Sequence, residues 1–193
     1  MPADPFVTEQ NNVKWTNHHE NVKVGIAKRV TVKNEVPSQP SLAGMRATAA
    51  RIQAIINRAL SAGVRLRACG SRWSFSDIPV VEKGWIVETS QIDWRFMVAA
   101  GDLDPASSVT AEELILAQAG AKISKLNEAL ETVQRKRALR TSGASNGQTV
   151  GGALGTGIHG SAIDVGGLES QVAGIQLLTA TQNLWIERAS APV

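Results

Sequence analysis

Between Ser41 and Asp77 the chain changes character twice, and the order of those changes constrains the fold more than any other feature of the sequence. Met45, Ile52, Ile55, Ile56 and Leu60 recur at helical spacing in a run rich in Ala and Arg, and Gly63 stands where a helix stops. The short, alternating VRLRAC that follows reads as a strand at the edge of a sheet, and it runs into GSRWSFSD, which is all turn and cap chemistry. The order is helix, strand, glycine loop.

Around this unit the signals are weaker. The polar opening MPADPFVTEQNN reads as a loose terminus, and Val22 to Val32, VKVGIAKRVTV, as an irregular strand ending before a loop with Pro37 and Pro40. Downstream, GWIVETSQI reads as a strand, and a hydrophilic loop through GDLDPASS leads to ELILAQAGA, a further strand with Gly120 at its end. Ser124 is placed to N-cap a helix carrying Leu126, Ala129, Leu130 and Val133, with Glu128 near the positive end of its dipole. The basic run RKRALR past that helix is either a complement to the helix dipole on a solvated face or a contact for phosphate or RNA. QVAGIQLLTATQNLWIE then reads as a hairpin about TATQN, and the chain runs out at ERASAPV.

Length and composition set outer limits. With 193 residues, 43% of them hydrophobic, the chain can build one domain or two small lobes. A formal charge of +3, scattered along the sequence, suits an anionic ligand but does not outline a nucleic-acid surface. The single cysteine, Cys69, excludes an internal disulfide and a zinc site built from several thiolates; it reads as a small buried side chain, with no histidine partner near it in sequence. His18, His19 and Glu20 diverge as neighbours on a strand, and no matching ligand set appears elsewhere, so no metal site is expected. The opening lacks the basic start and apolar run of a secretory signal, and no stretch is apolar for the roughly 20 residues a membrane helix needs. A cytoplasmic protein without membrane or nucleic-acid partners is the expectation.

Two segments carry the chemistry. ACGSRWSFSD, Ala68 to Asp77, follows a strand and offers a row of backbone N–H groups behind the bare Gly70, with hydroxyls at Ser71, Ser74 and Ser76. It is either an anion nest or an ordinary strand-exit turn. It is not a Walker loop, since no Gly-Lys-Ser/Thr follows, and it does not match G-x-G-x-x-G. GQTVGGALGTGIHG, Gly147 to Gly160, concentrates six glycines. Each costs conformational entropy when ordered, so something there needs bare backbone.

Taken with WTNHHEN near the start, IVETSQI, LNEALE and VAGIQLLTA, these segments resemble the FAD-binding domain of the vanillyl-alcohol oxidase and p-cresol methylhydroxylase (PCMH) superfamily. They are most similar to its sugar-alcohol and aldonolactone oxidase branch. The resemblance implies an α+β, two-lobed PCMH-type domain, with an N-terminal segment 1–21, a small mixed βαβ lobe at 22–100 and a second α+β lobe at 101–193. It further implies FAD between the lobes, its pyrophosphate on the backbone of Ala68, Cys69, Gly70, Ser71, Arg72, Trp73 and Ser74. Ala144, Thr149, Gly152, Thr156, Gly157, Ile158 and His159 would line the cofactor and reach its ring. Trp15, Asn17 and Asn21 match a family pattern whose role is packing the opening strand against the lobes.

The departures from the family are informative. Many relatives read glycine-histidine-serine in the first loop, and that histidine bonds covalently to the flavin. Here Arg72 and Trp73 stand in the corresponding places, so FAD is expected to be non-covalent. Full members also carry a final segment of the FAD domain and a cap domain that supplies most substrate contacts, so this chain is expected to be incomplete at its C-terminus and its catalytic residues are not assignable. The implied activity is that of a flavin oxidoreductase taking hydride from the carbinol carbon of a polyol, sugar lactone or similar small-molecule alcohol. The alternative is a non-catalytic FAD- or nucleotide-binding module without a substrate cap, and a weaker one is a basic interaction domain using the RKR cluster.

Overall fold

Where the sequence looked least structured, the structure has its longest strand pairing. In the computed structural model, which describes residues 4–36, 39–133 and 135–188, Val7–Thr16 (β1) runs antiparallel to Lys23–Lys33 (β2), with Val7 opposite Val32 and Thr16 opposite Lys23. The expected loose terminus is therefore a strand. β1 lies at the sheet edge, buries only Trp15 completely and packs Val7 and Val13 partly against the core, with polar Glu9 and Asn11 interrupting the alternation that periodicity would need. Pro37 of the expected proline loop and the tail from Ala189 lie outside the described residues.

Leu42–Ser61 (α1) matches the sequence expectation. Ser41 Oγ accepts the Gly44 N–H at 3.1 Å to cap its start, and the chain leaves through Gly63 in the left-handed region, φ 64°. Leu66–Cys69 (β3) and Trp85–Gln91 (β4) complete a sheet of order β1-β2-β4-β3, in which β4 is parallel to both neighbours and β3 forms the expected edge. Because β3 and β4 run the same way, the chain must travel back along the sheet between them, a return that takes roughly a dozen residues or more. Residues 70–84 make it without a helix. The first glycine loop is the start of that return.

Both faces of the sheet are thereby covered. α1 places Ile55 over Val30, Val32, Val87 and Ile92, while the helix-free return lays Val80 beside Trp15, Ile26, Cys69 and Ile86 on the other face. The central strand β4 contributes Ile86 to one cluster and Val87 to the other. Each such side chain contributes about 1.5–3 kcal/mol when fully buried, several times what an exposed ion pair such as Lys125–Glu128 adds. The two apolar layers, not the surface charges, hold this half.

The second half is built from smaller pieces. The run expected as one strand, ELILAQAGA, supplies only Ile115–Ala117, here β6, which pairs antiparallel with an unforeseen strand Arg95–Met97 (β5). The helix Ile123–Thr132 (α2) starts before the expected Ser124 cap, with Lys122 at the N-cap and Ser124 inside the first turn, because the buried stripe is Ile123, Leu126 and Leu130. Val150–Gly155 (α3) is a short helix inside the glycine-rich stretch. Gly174–Leu178 (β7) and Asn183–Glu187 (β8) form the expected hairpin, closed where Thr179 N–H donates to Gln182 O at 2.8 Å.

A buried polar knot joins the halves. Gln118 Oε1 accepts from Trp94 N–H and from Asn34 Nδ2, both at 2.9 Å, while Gln118 Nε2 donates to Asn34 Oδ1 at 3.0 Å. Thr48 on α1 also donates to Asn34 Oδ1, at 3.4 Å. Next to the knot, a Cβ on Gly120 would lie 1.7 Å from Thr89 O, so no side chain fits there. Among the described residues no helix is long and apolar enough to cross a membrane, and no group of three or more His, Cys, Asp or Glu is placed to hold a metal.

Candidate functional site

The first glycine loop leaves β3 after Cys69, whose side chain is sealed under the sheet; burial pushes its thiol up to about 11, so it is no nucleophile at neutral pH. Past Gly70 the backbone turns through Arg72 in the left-handed region, φ 61°, uncommon for a residue with a side chain. Its carbonyls from Arg72 to Phe75 are all claimed by the turn after β1. Arg72 O accepts from His18 N–H at 2.8 Å, Trp73 O from His19 Nε2 at 3.1 Å, Ser74 O from Asn17 Nδ2 at 2.9 Å and Phe75 O from Asn21 Nδ2 at 2.9 Å. The N–H groups of Ser71, Arg72, Trp73, Ser74 and Phe75 meet no acceptor among the described residues, and Ser71 Oγ is buried without a partner.

The second glycine segment is fixed from its other side. Ser124 N–H donates to Asn146 O and Ile123 N–H to Gln148 O, while Val150 and Gly151 N–H donate to Ala121 O and Ala119 O, all between 2.8 and 3.1 Å. Residues 146–151 thus run antiparallel to 119–124, and Thr149, buried, caps α3 by accepting the Gly152 N–H. Beside it Gln148 Oε1 is buried with no partner.

The two segments touch. A Cβ on Gly70 would lie 2.2 Å from Thr149 Oγ1, and a Cβ on Gly147 would lie 2.2 Å from the Trp73 ring. At these two positions the missing side chain is what permits the approach. The structure therefore brings the loop of Cys69 through Ser74 against the second segment at two points, Gly70 on Thr149 and Trp73 on Gly147, with Ala68 exposed on β3. It does not bring Thr156, Gly157, Ile158 and His159 to the same point, since they follow the far end of α3, whose six residues span about 9 Å at the usual helical rise. Thr156 Oγ1 donates to Gly152 O at 3.0 Å, and Ile158 packs against Ile123, Ala153 and Leu168. His159 is exposed, its Nδ1 2.8 Å from Gly160 O. Ala144 and Gly152 are exposed.

Reading the sequence missed Gly147 and Gln148 as members of the contact, and it gave the WTNHHEN turn a packing role only. Its signal was present in the paired asparagines Asn17 and Asn21, whose amides suit main-chain carbonyls.

These residues fit the pyrophosphate of an FAD. A dianionic linker asks for converging N–H and O–H donors next to uncluttered backbone, and Ser71–Phe75 with the unpaired Ser71 hydroxyl supply the first, Gly70 and Gly147 the second. A separate cleft of about 350 Å³ among Met45, Ile52, Leu116, Leu154, Leu178 and Trp185 is mostly aliphatic, does not include the first loop and has little to offer a phosphate.

Comparison with known proteins gives the family of the chain. The family described as FAD binding domain matches residues 45–185. Among curated relatives, the D-arabinono-1,4-lactone oxidase of Yarrowia lipolytica is 29% identical over 147 residues, which are 76% of this chain and 26% of that protein. The L-gulono-1,4-lactone dehydrogenase of Mycobacterium tuberculosis is 30% identical over 132 residues, 68% of this chain and 28% of that protein. The chain thus spans about a quarter of the length of these relatives. Among solved structures, cholesterol oxidase from B. sterolicum matches with a TM-score of 0.62 at 15% identity, covering 95% of this chain and 34% of that one. Alkyldihydroxyacetonephosphate synthase matches with a TM-score of 0.62 at 15% identity, covering 88% of this chain and 28% of that one. The α+β architecture is shared with those two solved structures, and by its match over residues 45–185 this chain belongs to the FAD binding domain family.

Proposed function

We propose that this chain is the FAD-holding part of a flavin-dependent oxidoreductase that oxidises a CH–OH group of a sugar lactone, polyol or similar small alcohol, with FAD bound non-covalently. The contact of the two glycine segments through Gly70 and Gly147, with a row of unclaimed N–H groups beside it, is the observation that carries the reading. The backbone of Ala68 through Ser74 would hold the pyrophosphate, with Ser71 Oγ as an added donor. Ala144, Thr149, Gly152 and Thr156 through His159 would line the rest of the cofactor along α3. Bound FAD supplies the two-electron acceptor for hydride leaving a carbinol carbon. What the protein adds is orientation and a polar environment matched to the ring.

The substrate class rests on the relatives' names, a lactone oxidase and a lactone dehydrogenase. Non-covalent attachment rests on Arg72 and Trp73, neither of which offers an imidazole to the flavin. The test is direct: the purified protein, incubated with FAD and desalted, is expected to keep a flavin absorption spectrum, and acid precipitation is expected to release all of the colour into solution. A protein that takes up no FAD overturns the reading. Colour that stays with the precipitate overturns the non-covalent part.

A further inference from the structure

The turn Asn17–Asn21 closes β1 onto β2 and needs no contact with a cofactor for that purpose, yet its donors go elsewhere. Every main-chain carbonyl from Arg72 to Phe75 receives one of them. In a trans peptide the carbonyl of one residue and the N–H of the next point in opposite directions. Securing the carbonyls of Arg72, Trp73 and Ser74 therefore turns the N–H groups of Trp73, Ser74 and Phe75 away from the turn, and those N–H groups meet no other acceptor among the described residues. A peptide that rotated would put a carbonyl oxygen where an anion has to sit.

The side chains add a second lock. The His18 ring stacks on Trp73 with centroids 4.2 Å apart and planes 17° from parallel, and His19 stacks on Phe75 at 3.9 Å and 8°. Phe75 is 70% exposed, so burial does not hold it in place; the His19 ring does. Asn17, 3% exposed, spends its whole amide on this arrangement: Nδ2 donates to Ser74 O and to Asn21 Oδ1, and Oδ1 accepts the Val22 N–H. Glu20 in the turn and Arg72 in the loop both occupy the left-handed region, φ 59° and 61°. Two uncommon backbone conformations, one on each side of the contact, are maintained together.

We infer that Asn17, His19 and Asn21 are positioning residues for the FAD site: by holding the carbonyls of Trp73, Ser74 and Phe75 they keep a row of main-chain N–H groups aimed at the cofactor's pyrophosphate. The inference rests on the FAD reading above. Because Trp73 O has no proton, His19 Nε2 is the donor, and both the Nε2–H tautomer and the imidazolium can fill that role.

The experiment separates the donor from the stack and from folding. Apo-protein variants are titrated with FAD by quenching of flavin fluorescence, and their thermal midpoints are measured without FAD. His19→Phe keeps a ring to stack on Phe75 but lacks the donor, His19→Gln keeps a side-chain N–H of similar reach, and Asn21→Ala removes an independent donor on an exposed side chain. His19→Phe and Asn21→Ala are each expected to weaken FAD binding roughly tenfold with apo midpoints like the parent, while His19→Gln stays within about twofold of it. Parent-like affinity in both His19→Phe and Asn21→Ala overturns the inference and leaves the FAD site standing, as does an equal loss in His19→Gln and His19→Phe. A parent protein that takes up no FAD overturns the FAD reading and this inference with it.

Discussion

Gly70 decides how near the two glycine segments come, because Thr149 Oγ1 occupies the place where its side chain would be. Gly70→Ala is expected to destabilise the fold by about 1–3 kcal/mol through overpacking and to lower FAD retention. Thr149→Ala removes the two nearest obstructing atoms, Oγ1 and Cγ2, at the cost of a helix cap of about 1 kcal/mol, so the double variant is expected to be more stable than the sum of the single losses. Urea titrations of the four proteins measure that coupling, and strict additivity would show that the two side chains do not compete for one space. One residue earlier, burial raises the Cys69 thiol from its ordinary 9.0 to about 11. A thiolate is then disfavoured in the folded chain and not in the unfolded one, so this contribution is intact below pH 9 and is lost as pH rises through 11, about 2–3 kcal/mol in all. Native protein is expected to resist iodoacetamide at pH 8.5 unless urea is added, and its urea midpoint to fall between pH 9 and 11 more steeply than that of Cys69→Ala. Of these residues Gly70, Cys69 and Thr149 stand out in the sequence, since glycine and cap residues announce themselves. Gly147 does not, because its importance comes from an indole that folding brings to it from Trp73.

At the scale of elements, the sequence shows what a single segment does and hides what a pairing does. α1 carries its own periodicity, cap and stop, and β7–β8 its own turn, so both were legible. β1 and β5 were not: one is a polar edge strand and the other has three residues, and each exists because of a partner elsewhere in the chain. α3 was hidden for another reason, since glycine lowers helix propensity by about 1 kcal/mol per residue and the capping Thr149 with the ladder to residues 119–124 overrides that preference. The knot around Gln118 belongs to this scale as well, tying the end of β2, α1 and the β5–β6 pair through side chains that no local pattern marks. Replacing Gln118 by Leu removes the acceptor that Trp94 N–H and Asn34 Nδ2 share and leaves Asn34 Oδ1 with the longer bond from Thr48, a loss expected to reach about 2–4 kcal/mol in urea unfolding. Replacing Asn34 and Gln118 together by apolar residues is expected to cost less than the two single changes added, since neither then strands the other.

The molecule as a whole is unevenly held. The four-stranded sheet is buried on both faces, whereas β7–β8 is a two-stranded ribbon with Ile175, Leu177, Ile186 and Trp185 exposed, Trp185 by 56%. Its tie to α1 includes the bond from Gln53 Nε2 to Thr179 O at 2.7 Å. Two-stranded sheets are marginal alone, so amides of β7 and β8 are expected to exchange with deuterium well before those of β2 and β4, and equal protection would show that the ribbon is held more firmly than its exposure implies. The same contrast explains what was readable at this scale: the FAD-binding family came through from motifs spread along the chain, while the contacts of the candidate site span separations such as Asn17 to Ser74 and Gly70 to Thr149, which no linear pattern encodes.

The hydrophilic face that concealed β1 from a periodicity search has a use in solution. A sheet with a bare rim invites another molecule to add a strand, and long, flat, oily rims are where fibres start. This rim offers Glu9, Gln10, Asn11 and Lys14, and it is bent at Asn12, where φ is 51°. A neighbouring copy meets charge, amide and a kink instead of a template, so the polarity of this strand works against self-association.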